Sequence, residues 1–305
     1  MKRFGILVLC MFILCGCGRQ KAAQRTIFAM DTVMELQLWG TDAEAAVGQL
    51  QETINTLEAD WSATRADSIL HRMRNEAIDP DAQALLDRVA EISDRTGGLY
   101  DPQLYSLSSA WGFYGQNYRL PTETEIALAL ADTQWDLGGA LKGYCGDRAV
   151  TILNSMDVDY GILNLGGNIQ TFGQKPDGTP WQIGIQNPDG GEPVAVVSVT
   201  GTTAVITSGD YQRSFTLEGS TYHHIMDPRT GYPADSGLRS VTIICADGLT
   251  ADCLSTALFV MGLEDGTQFW RESTDFEAVF LTTDGAIFAT EGVTISGCNY
   301  EVIRR

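Results

Sequence analysis

Several features that would each point to a function are scarce or missing in this chain of 305 residues. Only 20 Lys and Arg stand against 39 Asp and Glu, which gives a formal net charge of −19 at pH 7. A chain this acidic is a poor non-specific binder of nucleic acid, so that class of partner is disfavoured. Three histidines and the lack of a Cys-x-x-Cys pair argue against a zinc site. The four cysteines outside the N-terminal segment fit either disulfides or buried free thiols: Cys145, Cys245, Cys253 and Cys298.

A glycine-rich stretch, DLGGALKG (136–143), matches neither G-x-x-x-x-G-K-[ST] nor G-x-G-x-x-G, the two common phosphate motifs. It still has the parts of a phosphate site. Gly138 and Gly139 allow close approach to the backbone, the helix that follows offers N–H groups, and Lys142 offers a point charge. These parts suit a diphosphate. A capped turn with glycines for packing is the alternative.

The N-terminus carries an export pattern. Lys2 and Arg3 precede an apolar run from Phe4 to Leu14, which is too short to span a membrane and is typical of a signal peptide. The run ends in LCGC, which resembles a bacterial lipobox with Cys17 as the lipidated residue, so we expect an exported lipoprotein anchored at the extracytoplasmic face of the membrane. An ordinary signal peptide that happens to contain Cys is the alternative. The predicted division is a signal peptide over 1–16, a polar tether over 17–25 and one domain over 26–305.

Helical patterns occur early in the chain and β patterns late. A capping-box pair, Thr41 and Glu44, starts a helix predicted over 41–62, and an Asp-Pro start predicts a second helix over 79–97. Short β-rich runs separated by Gly, Pro and Asp turns follow, interrupted by a helix over 249–262. Because there is no steady βαβ alternation, the sequence predicts an α+β fold in a single compact domain.

Three further stretches combine polar groups with glycine. A strand runs into Gly166 and Gly167, where a flat ligand could lie against bare backbone; a bulged strand is the alternative. His223 and His224 precede DPRTG, which makes one of them a candidate acid–base group, although histidines in a strand are more often structural.

The last of these stretches lies on the predicted helix over 249–262. Asp252 and Thr256 are four residues apart and therefore share one helix face. A carboxylate and a hydroxyl in this relation can hold Mg²⁺, which prefers oxygen ligands. Helix capping by Asp252 with a buried Thr256 is the alternative.

In their order along the chain, these stretches resemble the FAD:protein FMN transferases, the ApbE family of bacterial lipoproteins. The family pattern A-M-G-T is matched by AMDT (29–32), and D-L-G-G-x-x-K-G-Y is matched in full at 136–144. The further matches are the L-G-G of a strand end at 165–167, S-G-D-Y-x-R at 208–213, H-I-x-D-P-x-T-G-x-P at 224–233 and T-A-D-x-L-S-T-A-x-F-V-M-G at 250–262.

The resemblance implies a Mg²⁺-dependent transferase. Such an enzyme cleaves FAD at its pyrophosphate, attaches FMN through a phosphoester to a Thr or Ser of an acceptor flavoprotein, and releases AMP. The implied partners are FAD, that acceptor and, through the lipid, the membrane. The implied roles are a catalytic base at His224, contacts to FAD from Met30, Trp111, Gly112, Phe113, Asp136 and Lys142, and a metal site formed by Gly139, Asp252 and Thr256.

Three positions depart from the family pattern. Asp31 stands where Gly is usual, Thr64 where many members have Tyr, and Asn168 where Asp is frequent. Two other functions remain open on the same residues. One is a Mg²⁺-dependent FAD pyrophosphatase, in which water replaces the protein hydroxyl, and the other is a non-catalytic flavin-binding lipoprotein.

Overall fold

A nine-stranded sheet forms the centre of the chain, which the computed structural model describes over residues 22–305. The predicted signal peptide and the predicted lipidation site Cys17 lie outside the described residues. The strands are β1 (Ala23–Ala29), β2 (Thr32–Gly40), β3 (Val158–Leu165), β4 (Asn168–Gly173), β5 (Trp181–Ile185), β6 (Ala195–Val199), β7 (Ala204–Gly209), β8 (Ser214–Leu217), β9 (Ser220–His223), β10 (Leu238–Cys245), β11 (Phe276–Thr282), β12 (Ile287–Thr290), β13 (Ile295–Ser296) and β14 (Glu301–Ile303).

The large sheet has the order β1-β2-β3-β4-β7-β10-β11-β12-β14, and only its last pair, β12 with β14, is parallel. A smaller sheet, β13-β6-β5, packs on it through a second apolar cluster, and β8 and β9 form a separate hairpin. The helices are α1 (Ala43–Asp60), α2 (Ile69–Arg72), α3 (Pro80–Arg95), α4 (Tyr105–Ala110), α5 (Glu123–Ala131), α6 (Leu141–Leu153) and α7 (Gly248–Arg271). The predicted α+β fold is confirmed.

The main core lies between this sheet and the helices α1, α3, α6 and α7. In β2 the buried side chains alternate, with Met34, Leu36 and Leu38 at most 1% exposed. Alternation of this kind is expected for a strand with one face covered, because successive side chains point to opposite faces. The covered face of the sheet thus holds α6 and α7 in place, and these helices carry Lys142, Asp252 and Thr256 of the predicted site.

The end of the predicted tether and the start of the predicted first helix both differ from the sequence prediction. Residues 23–25 belong to β1, because Ala23 is buried and pairs with Leu38 of β2. The capping box predicted for α1 is wrong, since its N-cap is Asp42 and no side chain caps it. The Asp42 carboxylate instead accepts a hydrogen bond from the Asp157 amide at 3.0 Å.

The long helix α7 has a break inside it. Gly262 adopts φ 83° and ψ −179°, which is not helical, and a second helical segment continues to Arg271. The predicted end at residue 262 therefore corresponds to this break.

Within the described residues no helix is both long and apolar enough to cross a membrane. The four cysteines of the described residues are free thiols. Cys145, Cys245 and Cys253 are buried, and Cys298 is partly exposed.

Candidate active site

Two turns lie side by side at one end of the large sheet. The two-residue turn between β1 and β2, Met30 and Asp31, lies beside the turn between β3 and β4, where a Cβ on Gly166 would overlap the Thr32 side chain. Gly166 has φ +69°, a region that glycine enters without strain. Gly167 faces open space, since only the end of the Gln212 side chain comes within 4 Å of its missing Cβ.

Asp252 is fixed deep within this site. Its side chain is 4% exposed, and each carboxylate oxygen accepts one hydrogen bond. The Gly143 amide donates to Oδ2 at 2.8 Å, and the Asn168 side-chain amide donates to Oδ1 at 2.9 Å. The alternative that Asp252 caps a helix is wrong, because the N-cap of α7 is Asp247, which accepts from the Thr250 amide.

Gly143 lets α6 and α7 approach closely enough for that contact. A Cβ at this position would overlap the Gly248 carbonyl oxygen and would come 2.7 Å from the Asp252 Cβ. Asp147, one turn further along α6, accepts from the amides of Gly248 and Leu249 at 2.6 and 2.9 Å. Hydrogen bonds at Gly143 and at Asp147 therefore fix the start of α7 against α6.

Thr256 lies next to the N-terminus of α6. A Cβ on Gly139 would be 3.4 Å from Thr256 Oγ1, so the Gly139 backbone lies against this hydroxyl. The same oxygen is 3.2 Å from Ser208 Oγ, which in turn is 2.8 Å from Ser255 Oγ. Hydroxyls from β7 and α7 thus form one cluster around the predicted metal site.

The donor set fits Mg²⁺. Each Asp252 oxygen uses only one of its lone-pair sites, and the Thr256 hydroxyl and the Gly139 backbone are close together. Within residues 22–305 there is no cluster of three or more His, Cys, Asp or Glu side chains that could hold a metal. A site with one carboxylate is typical of Mg²⁺ that is bound together with substrate phosphates.

The two adjacent histidines point to opposite sides of the β8–β9 hairpin. His223 pairs with Ser214, and the His224 amide donates to the Arg213 carbonyl at 3.0 Å. Residues opposite each other share a face, so Arg213 and His224 lie on one side and His223 on the other. His223 is 8% exposed, and its Nε2 is 3.0 Å from the Ala234 carbonyl oxygen.

His224 has a neutral imidazole close to two positively charged side chains. Burial, reinforced by the nearby charges of Arg213 and Lys142, lowers the pKa of its imidazole to about 3. Its Nδ1 is buried and has no hydrogen-bond partner within the described part of the chain. An unsatisfied polar atom of this kind is costly unless a bound group pairs with it. His224, Lys142 and Arg213 therefore form a group suited to an anionic ligand.

Aromatic rings line the same face of the hairpin. Phe113 lies 6.4 Å from the His224 ring and 5.8 Å from Phe215, measured between ring centroids. Gly112 is needed beside it, because a Cβ there would overlap the backbone of Asn117. Trp111 is 1% exposed, and its Nε1 donates to the Gly231 carbonyl at 2.9 Å. Its indole therefore offers almost no surface to a ligand.

The remaining predicted FAD contacts lie around this group. Asp136 stands before α6, where its Oδ1 accepts from the Gly138 amide at 2.9 Å. Burial, together with the charge of Asp136, raises the pKa of Tyr114. Met30 has φ 51°, and its amide donates to Glu58 Oε1 at 2.7 Å, which fixes the turn.

Sequence reasoning gave no role to several residues that the structure brings into the site. These residues are Tyr114, Gly143, Ser208 and Arg213. Gly143 belongs to the matched motif D-L-G-G-x-x-K-G-Y, and Ser208 and Arg213 belong to S-G-D-Y-x-R, so these two motifs are the available signal. In the sequence Asn168 stands out only as a departure from the family pattern, because its contact with Asp252 links residues 84 positions apart.

The fold and the site together define an α+β enzyme of a known family. The sequence model of the ApbE family matches residues 30–280. An FAD:protein FMN transferase of Treponema pallidum is 30% identical, over 95% of this chain and 94% of that protein. The FAD:protein FMN transferase of Escherichia coli K12 is 27% identical, over 94% of each chain.

Solved structures agree with this assignment. The ApbE protein of Thermotoga maritima superposes with a TM-score of 0.82 at 30% identity, over 89% of this chain and 97% of that one. The flavinyl transferase ApbE of Pseudomonas stutzeri, in its apo form, gives a TM-score of 0.77 at 26% identity, over 93% and 97%. The chain belongs to the ApbE family. It is a transferase.

Proposed function

We propose that this protein is an FAD:protein FMN transferase. It takes FMN from FAD and attaches it through a phosphoester to a Thr or Ser of an acceptor flavoprotein, with release of AMP. The similar proteins carry this name over nearly their whole length, which supports the assignment. The structural observation that carries the proposal is the imidazole of His224, which lies on the same face of the β8–β9 hairpin as Arg213 and has a buried Nδ1 with no partner among the described residues.

The transfer exchanges one phosphorus–oxygen bond for another. The acceptor hydroxyl oxygen bonds to the FMN phosphorus, and the bond from that phosphorus to the bridging oxygen of AMP breaks. The neutral imidazole of His224 takes the hydroxyl proton, a role for which it must be unprotonated before the reaction. Lys142 and Arg213 balance the negative charge of the diphosphate and of the departing AMP.

Binding of the diphosphate also tunes the base. Two cations help to hold the pKa of His224 near 3 in the free protein. An anion placed between them offsets their charge and raises that pKa, so the imidazole becomes a stronger base when the substrate is present. The site therefore keeps His224 ready without a proton and strengthens its basicity on binding.

Mg²⁺ is proposed as the metal, held by Asp252, Thr256 and the Gly139 carbonyl. When bound, it supplies a Lewis acid that neutralises phosphate charge. Asn168 and the Gly143 amide orient the Asp252 carboxylate. The Ser208 hydroxyl orients that of Thr256.

Incubation of the protein with FAD tests this function most simply. With Mg²⁺ and an acceptor flavoprotein, AMP should form, and excess EDTA should stop it. Persistence of AMP release in EDTA would contradict the metal assignment. If FAD stays intact after prolonged incubation with Mg²⁺ and acceptor, the protein binds flavin without transferase activity.

We also propose export and a lipid anchor on Cys17 at the extracytoplasmic face of the membrane. The motive is the LCGC sequence after a short apolar run. A Cys17→Ser variant should lose the lipid and leave the membrane fraction. A variant that fractionates with membranes as the parent does would contradict the anchor.

A further inference from the structure

Asp31 occupies a backbone conformation that favours glycine. Met30 and Asp31 form the two-residue turn between β1 and β2, and both have positive φ, 51° and 59°. Such turns favour Asn-Gly and Gly-rich pairs, because other side chains are strained there. An aspartate at the second position therefore has a conformational cost, which a useful interaction of its carboxylate would offset.

That carboxylate reaches Arg213. Asp31 Oδ2 lies 3.6 Å from Arg213 Nη2, and the two side chains are 87% and 47% exposed. Among the described residues, Asp31 is the only carboxylate within ion-pair distance of Arg213, and none lies within that distance of Lys142. The anionic side chain nearest to the cationic group around His224 is thus that of Asp31, in the turn between β1 and β2.

Arg213 is also placed to meet a ligand. It lies opposite His224 on the β8–β9 hairpin, so both side chains are on the face that carries Phe215. Its charge adds to burial in lowering the pKa of His224 and acts against the burial that raises the pKa of Tyr114, so the guanidinium is near both side chains. A planar guanidinium suits phosphate oxygens, which it can bind through two N–H groups at once.

We propose that Arg213 binds the substrate's diphosphate opposite Lys142, and that Asp31 competes with the diphosphate for Arg213. In the free protein Asp31 holds the guanidinium, and on binding the diphosphate displaces it. Asp31 thereby weakens the binding of anionic substrate and product alike and speeds the release of the nucleotide product. The inference rests on the proposed function, because it takes the diphosphate of FAD as the ligand.

The expected effect is modest because the pair is exposed. Removing the competing charge should tighten binding by about two- to five-fold, the range for an exposed ion pair. The gain should shrink at 1 M salt, where charges are screened within roughly 3 Å. A purely structural role of the turn would not depend on salt in this way.

A double-mutant cycle with FAD binding as the readout tests the proposal. Binding is followed by flavin fluorescence in EDTA, so that no turnover occurs, and inorganic pyrophosphate serves as a second probe by calorimetry. Asp31→Asn removes the charge and keeps a residue that tolerates positive φ, while Asp31→Gly also relieves the strain. Glu44→Gln is the matched control, since its carboxylate is 79% exposed and lies 3.5 Å from Arg25, away from the site.

The proposal predicts tighter binding in Asp31→Asn and Asp31→Gly, no change in Glu44→Gln, and weaker binding in Arg213→Gln. Adding Asp31→Asn to Arg213→Gln should change nothing further, because Asp31 acts through Arg213. Unchanged binding in Asp31→Asn, or full additivity with Arg213→Gln, would overturn the inference alone. A parent protein that binds neither FAD nor pyrophosphate would overturn the proposed function itself.

Discussion

Strand alternation decides which of two adjacent histidines lies on the same face as Arg213. His224 shares a face with Arg213, whereas His223 packs edge-on against Phe259 of α7, with ring centroids 5.4 Å apart. The sequence already favoured His224, because alternation allows only one of the pair to face a ligand and the family motif begins at that residue. The low pKa of His224 could not be predicted, because it depends on burial and on cations distant in sequence.

Replacing the two histidines separately should therefore have different effects. His224→Ala should retain FAD binding and lose AMP formation, because only the base is removed. His223→Ala should keep most of the activity and lose stability, since its contacts with Ala234 and Phe259 are structural. Equal FAD binding in all three proteins, measured by fluorescence, is the control. Loss of chemistry from His223→Ala alone would reverse the assignment.

The pH dependence of the reaction should respond to Arg213. A base must be unprotonated, so activity falls as the pH drops through the pKa of His224, which is about 3 in the free protein. Arg213→Gln removes a cation that lowers this pKa. The acid limb of kcat/KM should therefore move to higher pH, and an NMR titration of the His224 ring should shift in the same direction. A shift toward lower pH would mean that Arg213 does not act on His224 in this way.

At the scale of elements, the crossing of α6 and α7 sets the position of Asp252. The two helices touch where Gly143 meets Gly248, and that contact brings the Gly143 amide to the Asp252 carboxylate. A glycine inside a helix usually costs stability relative to alanine. Here the close approach of the helices requires it.

Two glycine-to-alanine substitutions in helices should therefore act in opposite directions. Gly143→Ala would overlap the Gly248 carbonyl and should lower the free energy of unfolding by about 1–3 kcal/mol, as overpacking does. Gly48→Ala in α1 meets nothing within 4 Å and should raise it by about 0.5–1 kcal/mol. Urea unfolding measures both. Stabilisation by Gly143→Ala would contradict the helix crossing described here.

Element boundaries could be predicted where the local sequence sets them. The helix predicted from Asp79 begins as α3, with Asp79 accepting from the Ala82 amide at 2.9 Å. The prediction failed at the start of α1, because Asp42 bonds to the distant Asp157 instead of capping its own helix. The sequence does not predict the short strands β13 and β14, because they have too few residues to show a pattern.

At the scale of the whole molecule, the site is assembled from parts that are far apart in the chain. Asp252 is bonded to Gly143 and Asn168, which lie 109 and 84 residues away. Periodicity and spacing cannot predict such contacts, because they result from the order of strands and helices in the fold. The family resemblance supplied the grouping of residues, and the structure supplied their contacts.

Asp252 should therefore be tested with two substitutions. Asp252→Ala leaves the buried Gly143 amide and the Asn168 side-chain amide unpaired, at about 1–3 kcal/mol for each. Asp252→Asn keeps an acceptor for one of them and removes the charge. Both should lose Mg²⁺-dependent AMP formation, with Asp252→Asn the more stable in thermal unfolding. Full activity in Asp252→Asn would mean that the metal is held elsewhere.

The intact mass of an acceptor flavoprotein expressed together with this protein separates transfer to protein from hydrolysis of FAD. The acceptor should gain the mass of one FMN group, linked to a Thr or Ser. The gain should be absent with His224→Ala and when the acceptor's hydroxyl residue is replaced by Ala. An unmodified acceptor, together with free FMN and AMP in equal amounts, would rule out transfer to protein and make the protein an FAD pyrophosphatase.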